Sequence, residues 1–311
     1  MTRSFWPILV VLSLIIGLWY LAVAPMNLRG ALDQAERAGV AIIPEGSIPR
    51  QSVNIWRLMA DNPGHIAAGY SLKRPRPPAP HQVTTALWQL TGALALKGRG
   101  FSKRSLLFHS WVTLTAALRG FALGCAFAII GAIAIVYGRV FDLSLMPWAI
   151  VSQTVPIVAL APMIIALSNQ LGIEGRALPK AIISAYMCYF PVLIGLIKGL
   201  RAPHAAQFDL FKTFNASPMQ SFLRLRLPTA LPYLFPALKV GIAAAIVGTI
   251  VGELPTGAVQ GLGARILIAD QFGQPLHVWA ALFSAAILAG LMVMLLEGAQ
   301  RLTFWSMGGV R

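Results

Sequence analysis

Residues 209–228 read DLFKTFNASPMQSFLRLRLP, a polar and basic island between two long apolar stretches of a 311-residue chain. Its punctuation is that of two short helices. Asp209 opens an amphipathic turn that carries Leu210 and Phe211, and Asn215 is a residue type that tolerates the left-handed backbone at a helix end. Ser217 followed by Pro218 predicts an N-cap and a first helical position. A second short helix is expected from there toward Arg226, closed by Leu227-Pro228. Such a helix-turn-helix, projecting from a membrane-embedded body, is a handle for a soluble partner.

The rest of the composition supplies the membrane. Hydrophobic residues make up 57% of the chain and charged ones 11%, with a mean hydropathy of +0.71. That lies outside the range of water-soluble domains and defines an all-α integral membrane protein. The net charge of +15 does not point to nucleic acid. Its Lys and Arg border apolar spans, where anionic lipid and topology account for them, and are not clustered with exposed aromatics on a soluble domain. Cys125 and Cys188 lie inside apolar runs and read as small buried hydrophobes, far from any metal-ligand spacing.

About six spans are expected. The first is 5–24: the run approaches the roughly 20 residues that cross a bilayer, and Pro25 after Ala22-Val23-Ala24 opposes signal cleavage. Residues 25–104 hold no 18-residue apolar run and are expected as an extra-membrane or interfacial segment without a compact domain. Within it, 74–80 reads as an extended Pro-rich spacer and 83–96 as an amphipathic piece too short to span. His65 and His81 are isolated. The membrane core is expected over 105–300, with spans at 120–137 (after a membrane-adjacent helix), 143–167, 181–197, 234–251 and 277–296. A polar loop at 198–233 and a tail at 301–311 complete it.

Four places in the core carry polar chemistry. Gln153 and Thr154 sit beside Pro156, where a lost backbone donor frees carbonyls that lipid cannot satisfy, so they either line a water-filled pathway or join helices. Tyr186 and Tyr189, ahead of Pro191, are candidates to line the same cavity. Glu253 ends the Gly/Ala-rich span 234–251 on the side opposite the loop, and either serves transport or caps the span; no mate for it is evident in the sequence. Arg119 either meets substrate or snorkels to the interface. Gly257, Gly261 and Gly263 form a tight connection and not a phosphate loop, because no Lys-Ser/Thr follows.

Charge orients the chain. With both ends inside, the short inner segments carry Arg3, Arg139, Lys198, Arg201, Lys212, Arg224, Arg226, Lys239, Arg301 and Arg311, against Arg176, Lys180 and Arg265 outside. The excess satisfies the positive-inside rule. Residues 25–108 carry eleven further basic residues and would lie outside, which the rule tolerates only because so long a segment translocates regardless of charge.

The order acidic residue, turn residue and closing aliphatic-x-Leu-Pro resembles the EAA loop of ABC importer permeases. Asp209 stands for its Glu, Leu210 and Phe211 for its two Ala, Asn215 for its Gly, and Leu225, Leu227 and Pro228 for its closing Ile-x-Leu-Pro; the bulky Leu210 and Phe211 depart furthest. Residues 105–300 are similar to the branch that serves nitrate, taurine, sulfonate and small heterocycles, with wording at 144–148, 152–156 and 252–257 nearest to pyrimidine or vitamin-precursor members. The resemblance implies a type I (MetI-like) permease of a bacterial inner membrane. It also implies that Asp209, Leu210, Phe211, Asn215, Ala216, Ser217, Pro218, Leu225, Leu227 and Pro228 form the coupling loop that docks an ABC ATPase dimer. A second permease copy or sister permease and a periplasmic solute-binding protein complete the assembly, with ATP-Mg on the ATPase and no cofactor on this chain. The competing reading is an ion-coupled secondary transporter, which would want paired ionisable residues buried in several spans. A membrane enzyme would want His, Asp or Glu clusters, and His277 stands alone.

Overall fold

All regular elements among the described residues of the computed structural model, 5–172, 176–255 and 257–308, are helical. Arg3, Thr256 and Arg311 of the sequence reading fall outside them. Five helical runs are long and apolar enough to cross a membrane: α1 (Phe5–Arg37), α6 (Leu106–Tyr137), α9 (Ala177–Leu200), the continuous run Pro218–Glu253, and α14 (Pro275–Ser306). A sixth arises if the bent pair α7 (Arg139–Ser152) and α8 (Ile157–Gln170) counts as one span. The described residues fall into two units, 1–106 with 265–283, and 107–264 with 284–311.

In the first unit, α1 runs past the expected end of the first span at Ala24, with Pro25 inside the helix. Its 33 residues extend about 50 Å, well beyond a hydrocarbon core of roughly 30 Å. The extension is held by burial: Leu28 and Leu32 of α1 pack with Ile42 and Leu58 into a core cluster. Ile42 precedes α2 (Ser47–Ser52) and Leu58 lies in α3 (Ile55–Asp61). Arg50, 1% exposed, ties α2 to α1 by bonding Asp33 at 2.7 Å and also Glu36. Asn27, equally buried, donates to the carbonyls of Gly69 at 3.1 Å and Pro77 at 2.8 Å, and Trp19 donates to that of Pro78 at 3.0 Å. The segment expected to lack a compact domain thus has a core of its own. The 83–96 stretch forms α4 (Pro80–Leu90) and α5 (Gly92–Leu96), after an irregular Pro-rich stretch.

In the second unit, α9 and α12 (Leu227–Glu253) pack along each other over most of their length. Small residues permit it: a Cβ on Gly248 would come within 3.2 Å of the Ile183 carbonyl oxygen, so backbones approach as the Gly/Ala-rich pattern predicts. Here too the boundaries move. The expected membrane-adjacent helix and the span 120–137 are one helix, α6. The expected kinked span 143–167 is two helices meeting at 103°. Pro156 has no N–H and disfavours helix at Val155, so the chain breaks over 153–156 while Pro147 and Pro162 remain inside helices.

Candidate functional site

The polar island forms α10 (Ala205–Thr213), a turn, and α11 (Pro218–Ser221). Asn215 takes φ 51°, and the next amide, Ala216 N–H, bonds back to the Phe211 carbonyl at 2.9 Å, closing α10. Ser217 then caps α11 reciprocally with Gln220: the Gln220 N–H donates to the Ser217 hydroxyl at 3.3 Å, and the Ser217 N–H donates to Gln220 Oε1 at 2.8 Å. Leu227-Pro228 does not close the second helix, contrary to expectation. Residues Phe222–Arg226 form a π turn that runs straight into α12, with Pro228 in its first turn. The wider turn accommodates a residue that has no N–H to give, and Thr229 donates its hydroxyl to the Leu225 carbonyl at 2.7 Å.

The outward face of this segment is apolar and charged together. Leu210, Phe214, Met219 and Leu223 are all more than half exposed, while Leu225 is buried. Asp209 is exposed and pairs with Lys212 at 3.0 Å. Phe211 and Ala216 are half-buried, and Leu227 and Pro228 lie at the root of α12. Arg226, counted in the sequence only as a topology charge, fixes the segment from below. Its guanidinium stacks on Phe208 and Tyr137 and donates to the Leu200 carbonyl at 3.1 Å. Arg201, at the end of α9, pairs with Asp142 of α7 at 2.8 Å.

A second feature is a cavity of about 590 Å³ between α6, α7 and α9, walled by Phe127, Trp148, Ser152, Tyr186, Tyr189 and neighbouring aliphatics. The break after α7 frees carbonyls, and the tyrosines answer it: Tyr186 donates to the Ser152 carbonyl, and the Tyr189 and Ser152 hydroxyls bond each other. Tyr186 and Tyr189 therefore face the cavity together, with ring centres 6.1 Å apart. Gln153 and Thr154 occupy the adjoining break, both exposed and outside the cavity wall.

Glu253 is not in the wall either. It is fully buried and accepts from Thr113 at 3.0 Å, Gly263 N–H at 2.8 Å and Lys180 at 3.4 Å. The expectation that it has no mate is corrected. Lys180 sits on the first turn of α9, which starts four residues before the expected span at 181–197; a lysine entering an apolar run calls for an acidic partner, and that is the signal in the sequence. Arg119 is exposed beside a smaller cavity near Ala177 and Leu178. Among the described residues no His, Cys, Asp and Glu cluster of metal-binding size occurs.

Residues 120–303 match the family described as binding-protein-dependent transport system inner membrane component. The chain belongs to that family. It is 32% identical over 213 residues to a probable ABC transporter permease protein of Haemophilus influenzae, across 64% of this chain and 84% of that protein. It is 32% identical over 227 residues to the riboflavin transport system permease protein RibX of Chloroflexus aurantiacus, across 70% and 78%. To the formylaminopyrimidine transport permease protein ThiX of Halalkalibacterium halodurans it is 29% identical over 187 residues, across 59% and 72%. This permease is thus a multi-pass transport subunit and not an enzyme, and its family works with ATPase and binding-protein partners.

Proposed function

We propose that this permease works in a bacterial inner membrane, docking an ABC ATPase dimer through residues 209–228. A second copy or a sister permease and a periplasmic solute-binding protein would complete the importer. The observation that carries this reading is the continuity of the docking segment with a span: α11, the π turn and α12 form one helical run from Pro218 to Glu253. Closure of ATP-loaded ATPases would displace α10 and α11, and a continuous helix delivers that displacement into the bundle as rigid-body tilt. The chain itself then only switches between two packings biased by its partners, with ATP-Mg held on the ATPase.

The substrate class proposed is a small planar heterocycle of the pyrimidine or vitamin-precursor kind. The cavity at the α7–α8 break is aromatic and has no charged side chain in its wall. Such a wall offers ring stacking to a flat neutral solute and nothing to balance nitrate, taurine or an alkanesulfonate. The permease relatives named for riboflavin and formylaminopyrimidine point the same way.

The test is reconstitution of the permease with its ATPase and binding protein in proteoliposomes. ATP-dependent uptake of a labelled pyrimidine, lost when 209–218 is replaced by a Gly/Ser linker, supports the reading. Copurification of the ATPase with the linker variant at the wild-type level would sink the docking assignment. Uptake of the anions in preference to heterocycles would sink the substrate assignment.

A further inference from the structure

The turn that links α12 to α13 (Leu262–Gln271) is tied down in an unusual way. Three consecutive backbone N–H groups at the start of α13 are each accepted by a different side chain. Gly261 N–H donates to His109 Nδ1 at 3.1 Å, Leu262 N–H to Thr113 Oγ1 at 2.8 Å, and Gly263 N–H to Glu253 Oε2 at 2.8 Å. The orphan donors of a helix start, ordinarily met by a local cap, are met here from two other helices, α6 and α12. A carboxylate at this end also suits the helix dipole.

The same side chains bond one another. Thr113 donates back to Glu253, and Lys180 of α9 reaches Glu253 at 3.4 Å and the Gln260 carbonyl at 3.5 Å. His109, Thr113, Lys180 and Glu253 are all at least 94% buried. The turn is shaped to this carboxylate. Gly261 has φ 122°, and a Cβ there would run into the Glu253 carboxyl group; a Cβ on Gly263 would run into the Ile250 carbonyl and approach Glu253 Cβ to 2.8 Å.

We propose that Glu253 is a positioning residue for transport. It fastens the 257–263 turn to α6 and α9, at the opposite end of the Pro218–Glu253 run from the docking segment. That run of 36 residues is about 54 Å long, so displacement of α11 arrives at Glu253 with the helix as lever. A buried ion pair adds little net stability over a well-packed apolar replacement, and what it specifies is geometry. The geometry specified here is where the connecting turn sits when the lever moves. Glu253 thereby acts away from the aromatic cavity, without touching solute. The inference rests on the transport reading above.

The test uses the complete reconstituted transporter, with uptake and ATP hydrolysis measured side by side. The variants are Thr113→Val, which keeps the shape and removes the bridging hydroxyl, Glu253→Gln, and the doubly neutral Lys180→Met/Glu253→Gln. For variants that accumulate and keep the ATPase bound, uptake falls about tenfold or more while hydrolysis changes less than about twofold. Amide hydrogen exchange at 261–263 accelerates in parallel. Uptake at the wild-type level, or uptake and hydrolysis falling in proportion, overturns the proposal, as does lost uptake with unchanged amide protection. If Glu253→Gln fails to accumulate, Thr113→Val decides the matter alone. Absence of ATP-driven uptake by the wild-type assembly instead condemns the transport reading, so the two failures are told apart.

Discussion

The guanidinium of Arg226 stands 5.0 Å from the centre of the Tyr137 ring, joining the root of the proposed docking segment to the far end of α6. With Phe208 on the same guanidinium at 4.8 Å and the Leu200 carbonyl as acceptor, one side chain fixes α6, α9 and α10 to the π turn. Two stacked rings and one charged hydrogen bond are together worth about 2.5–5 kcal/mol. Arg226→Ala should therefore loosen the segment and reduce ATPase retention in detergent by about tenfold or more. Arg226→Lys, which keeps the charge but not the planar stack, should recover only part of it. Full retention by the Ala variant would show that the segment holds its place without this clamp.

Asn215 is the one non-glycine residue with positive φ among the described residues, at 51°. A β-branched side chain there costs about 1–2 kcal/mol. Asn215→Val should weaken ATPase copurification, and Asn215→Gly should leave it unchanged or improved. Equal behaviour of the two variants would remove the turn from the docking argument.

At the α7–α8 break, Tyr186→Phe leaves the Ser152 carbonyl only the long 3.4 Å bond from the Val155 N–H, at a cost of about 1–3 kcal/mol. Tyr189→Phe costs less, because Ser152 Oγ also bonds the Ala149 carbonyl at 2.8 Å. Thermal unfolding of the purified permease should drop further for Tyr186→Phe, and heterocycle uptake should fall with it. The reverse ranking would mean that the tyrosines do not hold the break.

The two short helices of 205–221 were legible because their signals are local: the Asn215 turn and the Ser217 cap each involve partners within five residues. The Gly/Ala pattern of 241–252 likewise announced close packing. What stayed hidden depends on distance in sequence or on competition between rules. Lys180 and Glu253 are 73 residues apart, and their pairing exists only once α9 and α12 lie side by side. The first span is expected to end at Ala24, just before Pro25, and the second short helix at Leu227-Pro228. At Pro25 the burial of Leu28 and Leu32 prevails, and at Pro228 the π turn removes the need for its N–H. Residues 25–104 read as an extra-membrane segment without a compact domain because no long apolar run marks them, whereas their core is assembled from a few residues of α1, α3 and the segment between α1 and α2.

That core gives the last prediction. Arg50 is 1% exposed, and its two carboxylate partners, Asp33 and Glu36, are about one third exposed. Removing one member of a buried pair costs about 3–5 kcal/mol, and solvent at the carboxylates lowers that figure here. Arg50→Ala leaves two acidic groups three residues apart on α1 without their shared guanidinium, over a vacated space beside Pro44. Limited proteolysis should then cut 38–80 at least several-fold faster, with 107–260 unaffected. Arg50→Met combined with Asp33→Asn and Glu36→Gln fills the space and removes the unpaired charge, so protection should return. If Arg50→Ala resists protease as well as wild type, the hydrophobic cluster alone holds this unit, and the ion triad is incidental to it.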